Sequence, residues 1–130
     1  MGPLSFLSSE QAYQFHACEE HLRADLAEEV LQATTPREAK RIANTIKEED
    51  PLSMWNHKKY DVMREVHQAK LESNCSFREQ LLNSGEQILV EASQNDMYWG
   101  SGLSYFLTTT TEPDKAKTCW KNFYVNSVLN

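Results

Sequence analysis

Ser8-Ser9-Glu10-Gln11-Ala12-Tyr13-Gln14 is the stretch whose reading sets the fold class. A serine followed three residues later by a glutamine has the spacing of a capping box. The hydroxyl accepts from a backbone N–H in the first turn, one of the donors that every helix start leaves without a partner. The spacing predicts a helix over roughly residues 9 to 22. At 3.6 residues per turn, Glu10, Tyr13, Gln14 and Ala17 share one face, while Ala12, Phe15 and Cys18 turn towards other neighbours. An acid and an amide on one stripe make either a solvated polar face or one wall of a polar site, and periodicity leaves both open.

Upstream of this heptad, Met1 to Leu7 is short and apolar, and Gly2-Pro3 precludes a helix at the very start. Downstream, Asp25 and Glu28 repeat the capping pattern, and Leu22, Leu26 and Val30 with Ala27 and Leu31 give an apolar stripe to about Ala33. Thr35-Pro36-Arg37-Glu38 then places an N-cap, a proline at the first helical position and an acid in the first turn. Ala39, Ile42, Ala43 and Ile46 follow at i, i+3, i+4 and i+7, and the two small alanines allow a neighbouring helix to come close. The opposite face of that third helix carries Arg37, Lys40, Arg41 and Lys47 and reads as solvated rather than as a phosphate contact.

Glu48-Glu49-Asp50-Pro51 is a turn. From Trp55 to about Ser73, the run Trp55, Lys59, Val62, Met63, Val66, Ala69, Lys70 is again helical, and Lys70 on that apolar edge either snorkels to water or is drawn into a site. Ser76 and Glu79 predict one more short helix containing Phe77, Leu81 and Leu82, stopped at Asn83-Ser84-Gly85. Ile88-Leu89-Val90 reads as a short strand, Thr108 to Thr111 as a further extended piece, and the tail from Trp120 to Leu129 as helix or strand. The expected fold class is therefore mainly α, an α+β chain with a minor sheet, in one compact domain over residues 1–130.

The strand leads into Glu91-Ala92-Ser93-Gln94-Asn95-Asp96-Met97-Tyr98-Trp99-Gly100-Ser101-Gly102-Leu103. Two carboxylates and two large aromatics leave the end of a strand onto a turn with glycines at alternate positions. Glycines let the backbone approach a ligand, and Trp99 or Tyr98 offers a flat face for a base. The plainer reading is a polar connection in which Trp99 closes the core.

Composition narrows the classes. Of the 130 residues 40% are hydrophobic and 25% charged, an ordinary globular balance. No apolar run reaches the ~20 residues of a membrane span, and no signal peptide opens the sequence, so a cytoplasmic protein without a membrane partner is expected. Cys18, Cys75 and Cys119 are widely spaced, and with His16, His21, His57 and His67 they form no metal-ligand pattern, so neither a metal site nor a disulfide frame is expected. A net charge of −6 disfavours broad nucleic-acid binding but permits a small phosphorylated ligand, which needs only one or two local cations.

Ser8 to Gln14, Ala39-Lys40-Arg41, Met63 before Lys70, Leu89 to Ser93, Asp96, and Trp99-Gly100-Ser101-Gly102-Leu103 together resemble, in order, the NADAR superfamily of YbiA-like N-glycosidases. The resemblance runs from about residue 8 to residue 103. It implies a mostly helical domain that cleaves an N-glycosidic bond in ADP-ribose conjugates or in ribosylated aminopyrimidine phosphates of the riboflavin pathway. It also implies no cofactor, and a nucleic-acid partner only in the form of an ADP-ribosylated base. Breaking a sugar-to-nitrogen bond builds positive charge on the ribose, which a nearby carboxylate stabilises more in the transition state than in the ground state. By this resemblance Glu10 and Asp96 are the candidate catalytic residues. Gln14, Glu91, Tyr98, Trp99, Gly100 and Gly102 are the candidate ligand-binding ones.

The chain departs from the family in three places. Members usually carry a lysine three residues after the glutamine of the opening motif, where a Schiff-base route would use it, and this sequence has Ala17. His16 points away from the Glu10 stripe, and Lys70 is the one replacement the sequence offers. Family sequences also begin with an additional strand and end on a glycine-bearing turn, for which Trp120 to Val125 is a worn version. These differences imply a pocket open on one side or completed by another copy, and they keep an inactive ADP-ribose-binding or scaffold domain as the alternative to an enzyme.

Overall fold

The computed structural model of the chain describes residues 4–47 and 54–85 together with Trp99. These residues form helices α1 (Ser9–Glu20), α2 (Ala24–Gln32), α3 (Pro36–Lys47), α4 (Trp55–Ser73) and α5 (Cys75–Asn83). The chain divides into two units, Met1–Asn74 and Cys75–Asn130. Among the described residues the fold is wholly helical. The Ile88-Leu89-Val90 strand, the Thr108–Thr111 piece and the tail, and with them the minor sheet, lie outside those residues.

In the first unit α1 packs against α2, α3 and α4, and α2 packs against α3. Its core joins Phe15 and Cys18 of α1 to Ala27 and Val30 of α2, Ala33, and Ala39, Ile42, Ala43 and Ile46 of α3, with Phe6 and Leu26 packed on its edge. The alanines at 39 and 43 are buried, as their small size predicts for a close helix crossing.

The heptad builds the helix start the sequence predicts, with one change. Ser8 Oγ accepts from Gln11 N at 3.1 Å, the first half of a capping box. The Gln11 side chain does not return the bond to Ser8. Its Oε1 takes Leu7 N at 2.6 Å, and its Nε2 reaches the carbonyls of Val30 (3.1 Å), Leu31 (3.2 Å) and Ala33 (3.2 Å). Those oxygens lie at the C-terminal end of α2, where carbonyls lack helical partners. One buried amide therefore closes two helix ends.

α1 stops at Glu20, two residues before the predicted end, for a reason visible in the backbone. Arg23 N bonds Cys18 O and Leu22 N bonds Glu19 O, both at 2.9 Å, which is a Schellman turn. Its left-handed position, usually glycine, is Leu22, with φ 58° and a side chain 90% exposed. The same turn corrects the reading of Asp25 as a cap. The turn ends at Arg23, so α2 begins at Ala24 with Arg23 as N-cap and no side-chain cap, and Asp25 sits in the first turn holding the Arg23 guanidinium at 2.9 and 3.0 Å.

α3 starts as predicted. Thr35 Oγ1 accepts from Glu38 N at 3.1 Å, and Glu38 Oε2 accepts from Thr34 N at 3.3 Å. α4 buries Trp55, Met63, Val66 and His67, whereas Ala69, expected on its apolar edge, is exposed. It meets α1 through the Tyr13 and Trp55 rings, 5.0 Å apart, and through Lys58 Nζ on Glu20 Oε1 at 2.9 Å. In the second unit, α5 starts one residue before Ser76, buries Leu81, leaves Leu82 exposed, and stops before Gly85 at φ 57°.

Candidate functional site

Within the described residues the candidate site is represented by the face of α1 that carries Glu10, Gln14 and Ala17, and by Trp99. Gln14 is 1% exposed, so the solvated-face reading fails for it. Its Nε2 donates to Glu10 Oε1 at 2.8 Å, one helical turn earlier. Burying an amide costs free energy unless its donors and acceptors are used, and here that demand fixes the position of one carboxylate oxygen. Glu10 itself is half-buried. A carboxylate tethered in this way at the rim of a core can face an electron-deficient centre without first being reoriented.

One turn further along the same face, Ala17 is 2% exposed. Its carbonyl accepts from His21 N at 3.2 Å and lies 2.7 Å from His21 Nδ1. No amine stands at this position. His16 is half-buried off this stripe, beside Phe6 and Phe15 with ring centroids at 6.3 and 5.7 Å and with Nδ1 3.4 Å from Glu19, so it does not take the missing lysine's place.

On α4, Lys70 is half-buried, and three residues before it His67 is buried with Nδ1 3.0 Å from Met63 O. Burial pushes the His67 pKa below its ordinary value, and the nearby Lys70 charge pushes it the same way, against the Met63 carbonyl bond. His67 is therefore a neutral imidazole within the core at pH 7. The sequence reading considered it only as a metal ligand. The overlooked signal was its place four residues after Met63 and three before Lys70, on the edge that α4 buries.

Trp99 is a half-buried residue at a bend in the second unit. Glu91, Asp96, Tyr98, Gly100 and Gly102 lie outside the described residues. Among the described residues no group of three or more His, Cys, Asp or Glu side chains is arranged to hold a metal ion, and no helix is long and apolar enough to cross a membrane.

Comparison with known sequences adds to this geometry. The family profile described as the NADAR domain matches residues 2–123. The chain belongs to the NADAR family. Among its relatives, the riboflavin biosynthesis protein PYRR of Zea mays is 32% identical over 71% of the chain, and the protein irg-1 of Caenorhabditis elegans is 32% identical over 77% of it. The N-glycosidase YbiA of Escherichia coli is 36% identical over 58% of the chain. The matched segments cover 15%, 48% and 46% of these three relatives, so the NADAR chain described here corresponds to half of their length or less.

Proposed function

We propose that this NADAR domain cleaves the N-glycosidic bond of a ribosyl ligand, either an ADP-ribose conjugate or a ribosylated aminopyrimidine phosphate. Water adds to the sugar carbon, the carbon–nitrogen bond breaks, and the base leaves with a proton. Glu10 stabilises the positive charge that develops on the ribose, and Gln14 keeps its carboxylate oriented. Asp96 and Glu91 contact the sugar hydroxyls, Trp99 and Tyr98 hold the base by its face, and Gly100 and Gly102 admit the ligand close to the backbone.

The observation that carries this reading is the buried Gln14 amide bonded to Glu10 at 2.8 Å in a chain whose relatives include a named N-glycosidase. The test is base release from ADP-ribosylated guanosine and from the ribosylaminopyrimidine phosphate. Glu10→Gln keeps the shape of the side chain and is expected to slow release by about 100-fold or more. Absence of release from both compounds by the natural sequence would sink the proposal.

A second reading rests on Ala17. A buried alanine where the family's amine is expected favours a domain that binds the same ligand without turnover. Thermal stabilisation by ADP-ribose, with no base released from either conjugate, is its signature.

A further inference from the structure

The start of α1 carries two serine hydroxyls, and the helix uses the first. Ser8 does the capping: its Oγ accepts from Gln11 N at 3.1 Å and its carbonyl from Ala12 N at 3.2 Å. Ser9 is half-buried, yet its Oγ is cut off from solvent, and among the described residues it is the buried side-chain oxygen left without a hydrogen-bond partner. A hydroxyl in that condition has lost its bonds to water and gained none from the protein. A ligand group that bonds it restores what folding removed.

The position of Ser9 narrows the ligand. It is adjacent to Glu10, and at 3.6 residues per turn the two side chains leave α1 about 100° apart. Tyr13, one turn on, falls in the angle between them, buried and set against the Trp55 ring at 5.0 Å. Ser9 and Glu10 are therefore placed to bond two neighbouring atoms of a ligand lying across the first turn, rather than one atom together. A phosphate would be repelled by the carboxylate one residue away, whereas a neutral sugar hydroxyl donates and accepts as the serine does. Ser9 has a single side-chain torsion, and one step between staggered positions turns its oxygen towards the exposed part of the residue.

We propose that Ser9 is a ligand-binding residue of the Glu10 site, its hydroxyl bonding the 2- or 3-hydroxyl of the ribose whose bond to nitrogen is cleaved. This rests on the ribosyl reading given above and adds to it a preference for ribose over deoxyribose.

Calorimetric titration of the natural chain and of Ser9→Ala tests it, with ADP-ribose, ribose 5-phosphate, and forms of each lacking the 2- or the 3-hydroxyl of that ribose. The natural chain is expected to bind the full ribose about tenfold or more tighter than one of the deoxy forms. Ser9→Ala should bind the full ribose about tenfold less tightly and that deoxy form as well as the natural chain does, so the preference disappears. Without ligand, its thermal midpoint should match or exceed the natural one, since no bond within the protein is removed. Equal affinity of the two chains for the full ribose, or a preference that survives the substitution, overturns the proposal and leaves the role of Glu10 standing. So does a clear drop in the ligand-free midpoint, which would mean that the hydroxyl already serves a protein group. A natural chain that binds neither ADP-ribose nor ribose 5-phosphate overturns both this proposal and the function on which it rests.

Discussion

At the scale of single residues, Gln11 contributes more to the first unit than its role in the capping pattern indicates. Its amide is shared among three carbonyls at the end of α2, and its carbonyl oxygen takes Leu7 N. Gln11→Ala leaves those groups without that partner in a buried setting, and a loss of ~1–3 kcal/mol is expected in urea unfolding. Gln11→Glu should cost more, since a carboxylate would face the same carbonyl oxygens. The sequence shows why a glutamine belongs at this position of a helix start. It does not show which way the side chain turns, because the α2 carbonyls that attract it are defined only once the two helices have met. Gln14 illustrates the same limit. Its place on the Glu10 stripe follows from the 3.6-residue repeat, but its 1% exposure is set by packing around α1, which the repeat does not encode.

At the scale of elements, the helix starts were the most legible feature where a short polar side chain sits just ahead of a helix. Ser8 and Thr35 both cap as their spacing predicts, whereas the Asp25 pattern was overridden by the turn before it. That turn could not be read because its left-handed residue is a leucine, and glycine is the usual marker. Leu22 has a positive φ and projects into solvent, so its side chain adds strain and little packing. Leu22→Gly should raise the thermal midpoint, with a gain of up to ~1 kcal/mol from relief of the left-handed conformation. Thr35→Ala should act in the opposite direction, costing ~1 kcal/mol by removing the cap on α3. Paired melts of the two variants separate the effects.

At the scale of the whole molecule, His67 links stability to pH. Its folded pKa lies below its ordinary 6.5, so between those two values the unfolded chain binds more protons than the folded one. Its contribution is complete above the unfolded value and is lost as pH falls towards the folded one. Chemical denaturation between about pH 7 and pH 5 should show stability declining with acidification, and His67→Gln should flatten that slope even if it lowers stability at pH 7. An unchanged slope would mean that another group governs the decline. The membership of the chain in the NADAR family was legible from the heptad and from the Trp99-Gly100-Ser101-Gly102-Leu103 string, because both are local in sequence. Where Asp96 sits is a long-range matter that periodicity does not encode, and Asp96 lies outside the described residues. The two cysteines whose positions are described differ sharply: Cys75 is exposed, while Cys18 is 0% exposed between α1 and its neighbours. An alkylating reagent will therefore label Cys75 at once and reach Cys18 only when the helices part, so the protein carries its own clock for how often its interior opens.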